Sequence, residues 1–189
     1  DQAMPNASSI NFAAADRVAN GLTVQVSADR KIKVFNGSGV PVRFLVDVVG
    51  YYSGAGQYFH AADPTRVLDT RTSSGGTGPV PVTAADGSDA PVYSLAQGQA
   101  APRPVVVPAG ATAVAFNATV AGATSAGHLR VWPADQALTP ASTLNWPGAG
   151  YTRANGSVVG VDANRSVKFY NGASTPTEVL LDINGYYQP

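Results

Sequence analysis

The chain has 189 residues, and its 12 Lys and Arg balance 12 Asp and Glu. This neutrality argues against a nucleic-acid binder, whose affinity depends on clustered basic side chains. The absence of cysteine excludes disulfides, thiolate metal sites and a cysteine nucleophile. No apolar run approaches the roughly 20 residues of a membrane-spanning helix, so we expect no membrane insertion.

Composition favours an all-β fold. Apart from Ala, the strong helix formers are scarce, because the chain has one Glu, three Lys and one Met. Val, Thr, Tyr and Phe lie between Gly, Pro, Asn and Asp, which is typical of strands separated by turns.

The chain contains an internal repeat, which we expect to lie within one all-β domain. Residues 1–52 (the first copy) align with residues 135–187 (the second copy) with about 23 identities and one inserted residue. Alternation predicts three strands in each copy. The predicted strands are 22–26, 31–35 and 42–49 in the first copy, and 158–161, 166–170 and 177–183 in the second.

Turn residues separate these predicted strands. Ala28-Asp29-Arg30 and Ala163-Asn164-Arg165 follow the first strand of each copy, and Asn36-Gly37 and Asn171-Gly172 follow the second. Asn-Gly favours the positive φ angles of a tight hairpin, so we expect repeated antiparallel hairpins.

The middle segment, residues 53–134, is more diverged. Residues 72–104 lack alternation and are predicted to form a long loop. Residues 113–117 and 128–132 read as strands, and they permit a third, diverged copy. A two-sheet sandwich is the favoured architecture, and a pseudo-threefold, trefoil-like arrangement is the alternative.

Several strings resemble a repeat module of large secreted actinobacterial proteins. They are residues 7–12, 46–52, 58–71 and 107–114, including Val46-Asp47-Val48-Val49-Gly50-Tyr51-Tyr52. In that family a unit runs from about Tyr58 to Tyr187. The first copy is then either the second half of a preceding unit or one of three half-units that close into one domain. The resemblance implies an accessory role, extracellular or at the cell wall, beside further copies or a catalytic domain of a parent protein.

Catalytic patterns are weak in this sequence. Only His60 and His128 could relay protons, and no Gly-x-Ser-x-Gly elbow is present. The single Glu178 and the Asp residues in turns make a poor set for paired-carboxylate chemistry or a calcium site. Arg66, Asp69 and Arg71 suggest a strand-end ion pair more than a contact to an acidic ligand. We therefore expect no enzyme, no metal and no other cofactor.

Aromatic residues that recur in the repeat give the strongest binding signal. An exposed ring offers an apolar face to a sugar, and a neighbouring Asn or Asp can fix the sugar hydroxyls. The structural alternative is that the rings belong to the core and that Asp47 and Asp182 are buried turn acceptors. The predicted ligand-binding residues are Tyr52, Tyr187, Asn36, Asn171, Phe35, Tyr170, Trp132, Asp47 and Asp182.

Two functional hypotheses follow. The first is a lectin-like module that binds a polysaccharide or cell-surface glycan through several weak sites acting together. The second is a structural spacer or adhesin repeat of a secreted protein, with no small-molecule ligand.

Overall fold

The computed structural model describes residues 3–4, 7–71, 78, 80, 82–88, 90–94 and 107–189. Within these ranges the regular structure consists of eight β-strands. The strands are β1 (Tyr58–Asp69), β2 (Val92–Ser94), β3 (Ala113–Ala121), β4 (Gly127–Pro133), β5 (Leu144–Trp146), β6 (Arg153–Gly160), β7 (Ser166–Asn171) and β8 (Glu178–Gln188).

The strands form two antiparallel sheets of four strands each. One sheet has the order β1-β8-β3-β6, and the other has the order β2-β7-β4-β5. The all-β class and the favoured two-sheet sandwich are therefore confirmed, whereas the described strands do not form the trefoil-like alternative.

The core lies between the sheets and follows from strand alternation. In β3, every second residue from Val114 to Val120 is buried, while the residues between them are half-buried. The opposite sheet contributes Leu129, Trp146 and Phe169, which are also buried. Burial of these apolar side chains supplies the main driving force for folding.

The two halves of the sandwich are interleaved. The middle segment provides β1 to β4, and the second copy provides β5 to β8. In both sheets the strands of the two segments alternate, so no strand of the second copy pairs with another strand of that copy. Neither segment can complete its backbone hydrogen bonds in either sheet without the other.

Turns of the second copy cross between the sheets. The strands β6 and β8 belong to one sheet and β7 to the other, so Asn171-Gly172 does not close a hairpin between neighbouring strands. The positive φ angle lies at Arg165, at 57°, in the preceding turn. The hairpins predicted from these turns are wrong, because local turn signals do not specify which sheet the next strand joins.

The first copy forms none of its three predicted strands. Residues 22–26, 31–35 and 42–49 have no regular secondary structure, although their counterparts form β6, β7 and β8. The strand predictions for the first copy are therefore wrong in this structure. The physical reason is the interleaving, since the middle-segment strands that would flank these residues already pair with the second copy.

The predicted loop 72–104 also contains pairing, in the part that the structure describes. Strand β2 pairs with β7, and Val80 forms an isolated bridge with Thr177. The prediction of a long loop is thus wrong for these positions. The remainder of the loop, 72–77, 79, 81, 89 and 95–104, lies outside the described residues.

The sandwich begins and ends at the same place. Tyr58, the first residue of β1, lies opposite Gln188, the last residue of β8. A polypeptide that passes through residues 58–188 therefore enters and leaves at one end of the sandwich.

Candidate functional site

Charged residues on β1 and β8 form an ion-pair network. The Arg66 guanidinium donates from Nε and Nη2 to the two carboxylate oxygens of Asp182, at 2.8 and 3.0 Å. Arg71 donates from Nη2 to Asp69 at 2.7 Å, and Arg66 approaches the same carboxylate at 3.5 Å. The network matches the predicted ion-pair interpretation. Asp182 is therefore paired with Arg66 on the strand and is not a buried turn acceptor.

The pKa of Asp69 reflects this network. Hydrogen bonds from Arg71, together with the charges of Arg71 and Arg66, lower the pKa of Asp69 from 3.8 to about 2. The carboxylate therefore remains charged under mildly acidic conditions. It can hold the β1 terminus, since its Oδ1 also accepts the backbone N–H of Arg71.

An aromatic group lies at the end where the sandwich begins and ends. We define it as Tyr52, Phe59 and Tyr187. The Tyr187 ring lies 5.3 Å from that of Phe59 and 6.3 Å from that of Tyr52, and the two tyrosine hydroxyls are 2.6 Å apart. Tyr52 and Phe59 are 67% and 49% exposed. Burial and the hydrogen bond with Tyr52 raise the pKa of Tyr187 to about 12, so its hydroxyl stays protonated.

Tyr186 and Tyr187, the consecutive tyrosines of the second copy, have different neighbours. Tyr186 stacks on His60 at 5.0 Å and packs against the core, whereas Tyr187 belongs to the aromatic group. The aromatic group contains the ends of both repeat copies, Tyr52 and Tyr187. Because Tyr52 and Phe59 are exposed, the aromatic group offers ring surface to a ligand.

A second aromatic site lies on β4 and β7. The Tyr170 ring lies 5.8 Å from His128, and the Arg130 guanidinium lies 5.2 Å from its centre. The His128 ring occupies the space that a Cβ at Gly172 would fill. Burial, and secondarily the charge of Arg130, lower the pKa of His128, so the imidazole is neutral near pH 7. His128 thus acts as a packing residue of this site.

Two predicted ligand residues are buried. Trp132 donates its indole N–H to the Gln136 carbonyl at 3.0 Å. The Asn171 amide donates to the carbonyls of Thr175 and Val80, and its oxygen accepts the Ala173 N–H. Both side chains are buried and hydrogen-bonded within the fold, so a ligand could reach neither without displacing the chain around it.

The predicted ligand residues of the first copy are exposed. Phe35 is 70% exposed, and Asn36 forms local hydrogen bonds with Ser38 and Val40. Asp47 has no ion-pair partner among the described residues, in contrast to its counterpart Asp182. The structure therefore does not bring the nine predicted residues into one site. Of the nine predicted residues, Tyr52 and Tyr187 are the two that contact each other across the repeat.

Sequence reasoning did not assign Tyr58 and Phe59 to the binding set. Both begin β1 and are exposed, at 72% and 49%. The pairing of β1 with β8 places Phe59 opposite Tyr187 and Tyr58 opposite Gln188, and it links residues far apart in sequence. The consecutive aromatic residues at 58 and 59 were the available signal.

Comparison with known protein families and with curated proteins found no match for this chain. Among the residues that the structure describes, no group of three or more His, Asp or Glu side chains is arranged to hold a metal ion. No helix in those residues is long and apolar enough to cross a membrane.

Proposed function

We propose that this chain is a non-catalytic structural repeat of an extracellular, adhesin-type protein. The observation that carries the proposal is the role of the repeated polar residues. In the second copy Asn171 is buried and fully bonded, and Asp182 forms a bidentate ion pair. In the second copy these polar residues of the repeat therefore serve to build the sandwich.

The path of the chain refines this proposal. Because Tyr58 lies opposite Gln188, a unit of this kind adds little end-to-end length to a polypeptide. Each sandwich would then project sideways from the polypeptide. The end of the sandwich opposite Tyr58 and Gln188 would face outward. An adhesin-type array therefore fits the geometry better than a stiff spacer.

A second candidate is carbohydrate binding at the aromatic group. The observation that favours it is the partial exposure of Phe59 beside Tyr52 and Tyr187. Such rings can stack against the apolar face of a pyranose. The partner would be a polysaccharide or a cell-surface glycan.

One set of measurements separates the two candidates. The intact chain is tested against neutral and acidic glycans, and then compared with the Phe59→Ala and Tyr187→Ala variants. The structural proposal expects no saturable binding, together with a loss of unfolding free energy in Asn171→Ala. Saturable glycan binding that both aromatic variants abolish would overturn it in favour of the second candidate.

A further inference from the structure

The first copy exposes residues whose counterparts form the core. Val34, Val46 and Val48 are 58%, 55% and 83% exposed. Their counterparts are Phe169, Leu181 and Ile183, which are 1%, 1% and 0% exposed. Clusters of exposed apolar side chains commonly mark a surface that a partner covers. The first copy thus has the composition of half a core.

Two equivalent glycines indicate which structural element the first copy lacks. A Cβ at Gly185 would lie 2.6 Å from the His60 carbonyl and would also collide with the Phe59 ring. At Gly50, the counterpart of Gly185, nothing lies within 4 Å. The first copy therefore carries a glycine at the position where the second copy needs one to admit an aromatic ring from β1.

The aspartate of each copy also indicates that the first copy lacks a strand equivalent to β1. Asp182 accepts two hydrogen bonds from Arg66 of β1. Its counterpart Asp47 is exposed and has no ion-pair partner in the described part of the chain. A segment that carried an arginine at the position of Arg66 would complete an equivalent pair.

Local structure in the first copy already matches the folded copy. Asn20 donates to the Ser9 carbonyl as Asn155 donates to that of Thr143, both at 2.7 Å. The amide of Asn36 donates to the Val40 carbonyl at 2.9 Å, and Asn171 makes the equivalent bond at 3.0 Å. Hence the first copy already makes two hydrogen bonds of the folded copy, and what it lacks is flanking strands.

The chain's own middle segment is already occupied by the second copy. The strands β1, β3 and β4 pair with β5 to β8. A second molecule of the same chain brings one more middle segment and one more second copy to fill it. In the ranges that the structure describes, the first copy touches the sandwich only through single contacts such as Asp16–Arg153 and Tyr52–Tyr187 and pairs with none of its strands, so its pairing requires an additional middle segment.

We propose that residues 7–52 are half of a second sandwich and dock onto another polypeptide segment with the pattern of residues 58–133. That segment supplies an aromatic ring over Gly50, an arginine for Asp47 and two strands that flank residues 42–52. This inference rests on the proposed structural role and names the partner through which one unit joins the next. It is a form of strand complementation, in which the missing strands come from another segment.

The test is an extended chain, with a second copy of residues 53–134 (the added segment) fused before Asp1. The junction Ala134–Asp1 then repeats the natural junction Ala134–Asp135. Hydrogen exchange of residues 22–49 is measured in the natural and extended chains. We expect exchange to slow by more than about 100-fold in the extended chain, because core strands open only through large-scale unfolding. The control carries Phe116→Asp in the added segment alone and should leave exchange fast.

A disulfide measurement tests the register independently of stability. The strand β3 pairs Thr119 with Ala154, the counterpart of Ala19. Because the chain has no cysteine, Thr119→Cys in the added segment can be combined with Ala19→Cys. Rapid crosslinking is expected for this pair and not for the same cysteine combined with Thr23→Cys, which lies four residues further along the strand.

Three results would overturn the proposal. They are unchanged hydrogen exchange in the extended chain, equal crosslinking at both positions, and protection of residues 22–49 in a dimer of the natural chain. The last result would make a second copy of this chain the partner. Glycan binding by the natural chain would instead count against the structural role while leaving these three measurements unaffected, so the two failures are distinguishable.

Discussion

The pair Ile183 and Val48 provides a matched test of the interleaved fold. They occupy equivalent positions in the two copies, yet Ile183 is fully buried on β8 and Val48 is 83% exposed. Comparing the unfolding free energies of Ile183→Ala and Val48→Ala therefore tests whether the sandwich depends on the second copy alone. The first copy serves as an internal control in the same molecule.

The expected magnitudes follow from burial. Ile183→Ala removes three buried carbon atoms, which correspond to about 2.4 kcal/mol of transfer free energy at roughly 0.8 kcal/mol for each. The cavity between the sheets adds to this loss, so the free energy of unfolding should fall by about 2–5 kcal/mol. Val48→Ala should change it by less than about 0.5 kcal/mol, because that side chain is already in water.

Tryptophan fluorescence is a selective assay for this comparison. Both tryptophans, Trp132 and Trp146, are buried in the sandwich, and the first copy contains none. Urea unfolding followed by their emission therefore reports residues 58–188. With an m-value of about 2 kcal/mol/M, the midpoint for Ile183→Ala should fall by about 1–2.5 M. Equal destabilisation by Val48→Ala would refute the assignment of the sandwich to the second copy.

Three further predictions use the same assay. Asn171→Ala should lower the free energy of unfolding by about 1–3 kcal/mol, because it leaves buried backbone groups unpaired. Asn36→Ala should leave the free energy of unfolding nearly unchanged. Equal effects of the two substitutions would contradict the difference in burial. Gly185→Ala should destabilise the sandwich through collision with the His60 carbonyl and the Phe59 ring, and Gly50→Ala should not. Because the pKa of folded Asp69 is about 2, against an ordinary value of 3.8, the unfolded state binds more protons between these values and stability should fall as pH decreases through that window. Asp69→Asn should flatten this part of the pH profile, and an unchanged profile would show that Asp69 does not contribute to it.

The sequence could predict those features that depend on local pattern. Alternation located β7 within one residue, as 166–170 against Ser166–Asn171, and it located the core of β8. The same alternation in residues 31–35 did not produce a strand. An alternating pattern shows that a segment is able to form a strand. Whether it does so depends on long-range contacts, which determine whether a partner strand is available.

The candidate site was harder to predict for a related reason. Trp132 and Val131 are adjacent and both buried: Val131 belongs to the core between the sheets, whereas the Trp132 indole donates to the Gln136 carbonyl. Alternation alone would place one of the two in water. Similarly, the partner of Asp182 is Arg66, 116 residues away, and the pairing of β1 with β8 places them together. Exposure and ion pairing at these positions depend on tertiary structure.

The closeness of Tyr58 and Gln188 has a consequence for biosynthesis. Residue 188 corresponds to Ser53 of the first copy, so only residues 54–57 would be needed to join the last strand of that copy to β1 as a direct hairpin. A ribosome completes residues 1–133 before it makes the second copy, and these residues already contain both halves of a circularly permuted sandwich. During synthesis the first copy thus competes with the second copy for the edges of β1, β3 and β4. The native arrangement requires that the second copy displace the first from these strands.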